Sequence, residues 1–144
     1  MNYSNQILQP LHIAVLRITI AIILLTHSIP SIVSGDVNLF GKMYLNEVGF
    51  APFGISLAWA IKLSHIFAAL CLILNRWLLF PCLVTIAVLI TGIFMVHLKD
   101  GWFVIGGGRN GIEYNVLLVA AISSILLYNH SSKRQVQNNK SEAA

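Results

Sequence analysis

Residues 77–98 read WLLFPCLVTIAVLITGIFMVHL, a run of 22 positions without one charged side chain. As a helix rising about 1.5 Å per residue, it covers roughly the 30 Å hydrocarbon thickness of a bilayer. An apolar run of this length reads as a membrane-spanning helix, so this stretch decides the fold class. Working outward, apolar runs of similar length recur before it at 11–29 and 55–74 and after it at 111–128.

Composition agrees. Of 144 residues, 57% are hydrophobic and 10% charged, and the mean hydropathy is +0.79, far from the roughly 25% charged residues of soluble domains. With connectors of modest length, little chain remains for a soluble catalytic module. The expected fold is all-α: one four-helix transmembrane bundle over residues 1–128 with helices at about 11–29, 55–74, 77–98 and 111–128. The first run does not read as a cleaved leader, because no Lys or Arg precedes it, Arg17 interrupts it and no small-residue cleavage pattern follows. Residues 129–144, with Lys133, Arg134, Lys140 and Glu142, have a composition that buries too little to fold, and a disordered cytoplasmic tail is expected.

Four spans return both termini to one side. Arg76, Lys133, Arg134 and Lys140 fall on that side, and Lys42, Lys99 and Arg109 on the other; the excess of basic residues beside the termini marks the cytoplasmic side. The net charge of +4 then suits anionic headgroups of the bilayer. No basic face with interleaved aromatics exists to suggest nucleic acid.

The connectors organise the rest. The first, 30–54, is long enough for a short amphipathic piece around 39–47 lying on the outer surface, with Phe40, Met43 and Tyr44 toward the bilayer. The second, Asn75-Arg76-Trp77, is tight and makes helices two and three antiparallel neighbours. The third, 99–110, carries Trp102, Phe103 and the glycines Gly106, Gly107 and Gly108.

Against this apolar background six ionisable side chains stand out: Arg17, His27, Lys62, His65, His97 and Glu113. Such groups inside hydrocarbon are costly and mark functional candidates. Helical rise places His27, His97 and Glu113 within about a turn of the outer surface, Lys62 about 10 Å down, His65 about 15 Å and Arg17 about 18 Å. Two layers result, an outer one of His27, His97 and Glu113 and a deeper one of Arg17, His65 and Lys62. Facing inward, they outline one outward-opening pocket, with Asn110 and Tyr114 at its edge. The competing explanation is that each is merely tolerated, the long side chains snorkelling to water.

Sharper motifs mostly fail. Gly106, Gly108 and Gly111 fit G-x-G-x-x-G, but the following segment spans the membrane and Ser131 stands where the acidic residue belongs. Cys71 and Cys82 lie symmetrically about the tight connector without a C-x-x-C, and read as small buried apolar residues. Two imidazoles and a carboxylate suit zinc, copper or iron, yet no pair shares a helix at ligand spacing, so no metal is assigned. No serine lies in a nucleophile elbow.

The order of features resembles the DoxX family of small four-helix membrane proteins. Arg17 comes early in helix one and His27 at its end; Val48-Gly49-Phe50-Ala51-Pro52 precedes helix two and Asn75-Arg76 closes it. Met95-Val96-His97, Gly101-Trp102-Phe103 and Asn110-Gly111-Ile112-Glu113-Tyr114 follow. The match covers about 17–127. Two positions depart from the family pattern: the lysine after the helix-one histidine is absent from His27-Ser28-Ile29-Pro30-Ser31, and His65 stands where the family usually has a glutamate. If that glutamate normally pairs with Arg17, then Glu113 compensates, His65 accepts a hydrogen bond from Arg17, or Arg17 turns to water.

The resemblance implies an integral protein of a bacterial inner membrane, linked to quinone-coupled sulfur oxidation and thiol or oxidative-stress complexes. On that basis the chain is expected to act as an accessory subunit of a quinone-linked membrane oxidoreductase. His97, Glu113 and His27 handle protons, while Arg17, His65, Lys62, Tyr114 and Asn110 line a site for a quinone or small thiol compound, and a soluble or membrane oxidoreductase partner supplies electrons. The alternative is a non-enzymatic scaffold or small-solute carrier. In it the small residues Ser64, Ala68, Ala120 and Ser124 support contact with another membrane subunit or a homo-oligomer.

Overall fold

The computed structural model describes residues 10–104 and 111–142, and within them the chain is helical throughout. Helix α1 spans Leu11–Val33, and α2 spans Asp36–Phe40 and runs on as a π-helical stretch over Gly41–Phe50. Helix α3 spans Gly54–Leu74. Helix α4 spans Leu79–Gly92 and continues through a π-helical turn, Ile93–His97, and a 3₁₀ turn, Leu98–Asp100; α5 spans Glu113–Glu142. Three of these, Leu11–Val33, Gly54–Leu74 and Leu79–Asp100, are long and apolar enough to cross a membrane.

The fourth segment is a different case. Its apolar run from Val116 to Leu127 is flanked by Glu113, Asn115 and Asn129, and 12 residues of helix cover only about 18 Å. Nor does it end near Tyr128: the polar stretch expected to be irregular continues as exposed helix to Glu142. Lys, Arg, Gln and Glu are good helix formers, and extending an existing helix costs far less than nucleating one.

One core joins all the long helices. Ile20, Ala21 and Leu24 of α1 meet Ala68, Ala69 and Leu72 of α3, Cys82 and Leu89 of α4, and Leu118, Ile122 and Ile125 of α5. The alanines keep the α1–α3 contact thin, as small residues do where helices approach closely. The opposite faces are apolar and open: Ile22, Leu63, Phe67, Leu70, Leu83, Ile90 and Phe94 are all exposed. Apolar surface on this scale suits contact with lipid, not water.

Hydrogen bonding at the turns follows local chemistry. Helix α1 passes Pro30, runs four residues beyond the expected end at Ile29 and stops at Gly35, whose φ of 81° needs no β-carbon. Helix α3 ends where Asn75 turns left-handed, its N–H donating to Leu72 O while Arg76 N–H donates to Cys71 O. The α3–α4 turn is as tight as expected, and Trp77 is 78% exposed at its tip.

The first connector does not simply lie on the surface. Val37 and Leu45 bury against Ala58 of α3, with Tyr44, Leu57 and Trp59 packed around them. Trp59 Nε1 donates to Asn38 Oδ1 at 2.8 Å, and Gly54 N–H donates to Asn46 Oδ1 at 2.9 Å, satisfying the first turn of α3. Tyr44, expected toward lipid, turns inward and its hydroxyl donates to Met95 O, while Met43 stays exposed. A 36–50 segment cannot swing outward without unpairing these groups.

This packing requires glycine twice. A β-carbon on Gly41 would enter the Gly54–Ile55 backbone, and one on Gly54 would strike Gly41 O and Asn46. Gly41→Ala should therefore destabilise the folded protein by about 1–3 kcal/mol through overpacking, read as a lowered unfolding midpoint in detergent. Gly101→Ala, with open space around the β-carbon but a φ of 83°, separates backbone strain from collision.

Candidate functional site

Helices α1 and α3 run antiparallel, and two long basic side chains bridge them. Arg17 Nη1 donates to Leu72 O at 2.8 Å, and Lys62 Nζ donates to His27 O at 3.2 Å. Ten residues separate the two contact points on each helix, about 15 Å of helix, so the pair keeps constant register. That register carries His65 to the level of Leu24, one turn inside His27.

The outer end of this face holds the cluster. The rings of His27 and His65 are 6.1 Å apart and tilted by 52°. Lys62 and His97 lie within electrostatic reach of His27, and Lys62 and His27 within reach of His65. Of the two layers expected from depth arithmetic, His27 and His97 of the outer and Lys62 and His65 of the deeper one therefore meet in one group drawn from α1, α3 and α4, without Glu113 or Arg17. His27 is exposed at the rim, whereas His65 is 3% exposed and neither ring nitrogen has a hydrogen-bond partner. Ser28, next to His27 on α1, is fully buried and its hydroxyl likewise has no partner among the described residues. Its place was legible as periodicity, because Arg17, Ala21, Leu24 and Ser28 form one helical stripe, but a serine between His27 and Ile29 carries no chemical signal of its own.

His97 sits at the end of the π-helical turn, a local widening frequent at functional sites. Tyr44 binds the Met95 carbonyl within that turn and stacks on Phe40 at 5.3 Å, and Lys99 Nζ lies 6.0 Å from the Tyr44 ring centre. Tyr44 thus ties the 36–50 segment to the turn that carries His97.

Glu113 has a separate task. Val104 N–H donates to its Oε1 at 3.0 Å, its own N–H donates to Trp102 O at 3.0 Å, and Ile112 N–H donates to Gly101 O at 3.1 Å. Gly111 presses so closely on Trp102 and Phe103 that a β-carbon there would collide with their backbone. The carboxylate at the first residue of α5 also meets the positive end of that helix. Beside it, Val104, Glu113, Tyr114 and Leu117 line an open groove of about 310 Å³.

Arg17 adopts none of the three expected arrangements. Its partner is a backbone carbonyl in the last turn of α3, where a cation is favoured by the helix dipole, and it is 7% exposed. It stands seven residues of helix, about 10 Å, from His65. Cys71 and Cys82 are both free and buried. Ala68 packs the bundle, while Ala120 and Ser124 lie on the outer side of α5. Among the described residues no three His, Cys, Asp or Glu side chains converge as a metal would need. Asn110 and the glycines at 106–108 lie outside the described residues.

No family model, curated protein or solved structure matches the chain.

Removing the Glu113 carboxylate should free the 101–104 loop. Glu113→Ala leaves a half-buried N–H without its acceptor and should speed Val104 amide exchange about tenfold or more, while Glu113→Gln, which keeps a carbonyl oxygen, restores part of the protection. Equal exchange in all three proteins would refute the latch.

Proposed function

We propose that the chain is a DoxX-like bacterial inner-membrane protein of four spanning helices, with both ends cytoplasmic, acting as an accessory subunit in quinone-linked redox chemistry. The outer histidine cluster binds the quinone headgroup or a small thiol compound. The observation that carries this reading is His65: a buried imidazole with two unpartnered nitrogens, against a second histidine at the rim. Buried polar groups are nearly always paired, so an open imidazole in this setting suits a ligand that is not part of the chain.

Imidazoles exchange protons near neutral pH and serve as general acids and bases. Reducing a quinone to a quinol takes two electrons, which a partner oxidoreductase supplies, and two protons, which His65 and His27 relay from the rim with His97 beside them. Arg17, engaged with Leu72 O, holds the helix pair and leaves the ligand set. The fourth span is supported by Leu118, Ile122 and Ile125, which enter the same core as the three long apolar helices.

Replacing His65 by Leu or His97 by Ala should lower substrate-dependent quinone reduction in membranes about a hundredfold, and unchanged rates would sink the redox reading. Topology has its own check: a cysteine at Lys140 should react with an impermeant maleimide only from the cytoplasmic side, and one at Asp100 only from the outside. Labelling of both from one side would exclude four spans.

A second reading, a non-enzymatic carrier or scaffold, is favoured by Glu113. Its Oε1 accepts from Val104 N–H and holds the 101–104 loop, a structural task that calls for no redox partner. Uptake by the purified protein without any oxidoreductase partner would select this reading.

A further inference from the structure

We infer that the cluster of His27, Ser28, Lys62 and His65 binds a small oxyanion, a carboxylate or phosphate group seated between α1 and α3. The inference rests on the proposed function only in taking the same cluster as its site. Charge is the first argument. The ionisable neighbours that act on His27 are Lys62 and His97, and those that act on His65 are His27 and Lys62. All are basic. Lys62 reaches a backbone carbonyl, not a carboxylate. Lys62 is half-buried, and an anionic oxygen seated beside its ammonium would gain a charge-assisted partner at the rim.

Hydrogen-bond capacity is the second. An ammonium carries three donors and Lys62 spends one on His27 O. The Ser28 hydroxyl and both nitrogens of His65 have no partner and are buried, and an imidazole offers at least one N–H in either tautomer. The site therefore holds several polar groups that have no partner among the described residues. An anionic oxygen group accepts several hydrogen bonds at once, each stronger for its charge.

Geometry is the third. Ser28 lies one turn outward from Leu24 on the buried stripe of α1, and the two carbonyl contacts set His65 of α3 level with Leu24, so Ser28 and His65 differ in height by about one helical turn. His27 is exposed above them and gives the anion its way in from the rim.

The test uses the whole protein in nanodiscs of phosphatidylcholine, with ¹⁵N-labelled histidine. Sodium phosphate and sodium acetate are titrated against sodium chloride at constant ionic strength. A saturable shift of the His65 resonance is expected with phosphate or acetate, weakened about tenfold or more by Lys62→Met and also weakened by Ser28→Ala. A second arm places the protein in nanodiscs containing phosphatidylglycerol without added anion. The same shift there assigns the oxyanion to a lipid headgroup, and its absence there assigns it to a free solute. No His65 shift in either arm, or shifts indifferent to both substitutions in variants that keep wild-type helicity, would overturn the proposal. Neither arm contains a quinone, an electron donor or a partner, so failure of anion binding is distinguishable from failure of the redox reading.

Discussion

Two basic side chains on facing helices each donate to a backbone carbonyl of the other helix: Arg17 to Leu72 O and Lys62 to His27 O. Between these points α1 and α3 share a face of small and branched residues, Ala21, Leu24, Ala68 and Ala69, which lets the backbones approach. Sliding one helix past the other would break both hydrogen bonds at once. In hydrocarbon that costs more than in water, because no solvent is present to replace the lost partner. The register so held brings His65 under His27, and from that placement the rest of the outer site follows.

Around this pair the remaining elements close the outer end. The 36–50 segment packs its own small core of Val37 and Leu45 on Ala58, and Tyr44 fastens it to the widened turn of α4. Helix α5 enters the main core from the other side, and its first residue, Glu113, holds the 101–104 loop. Polar residues near the rim thus divide by role. Tyr44, Asn46 and Glu113 satisfy backbone groups of the fold, whereas His65 and Ser28 satisfy none.

Much of the fold was legible along the chain. Apolar length alone located α1, α3 and α4, because hydrocarbon thickness imposes a minimum that few other structures need. The tight α3–α4 turn was legible in Asn75-Arg76-Trp77. Less legible was α5: its hydropathy fades at both ends, and its polar continuation is helical because the preceding turns template it. Tyr44 was misread for a similar reason. An amphipathic pattern shows which side chains share a face, not whether lipid or a neighbouring helix covers that face.

Of the candidate site, residue types and approximate depths were determined by the sequence, since they follow from helical rise and the cost of charge in lipid. Which of them meet was decided only by tertiary structure. Arg17 and Glu113 read from the sequence as members of one pocket with the histidines, yet Arg17 bonds the last turn of α3, and Glu113 latches a loop and lines a groove with Tyr114. Ser28, silent in the sequence, is buried beside the histidines. Depth is a one-dimensional quantity that local geometry supplies. Facing direction and pairing depend on helix rotation and register, which are set by packing between segments distant in the chain.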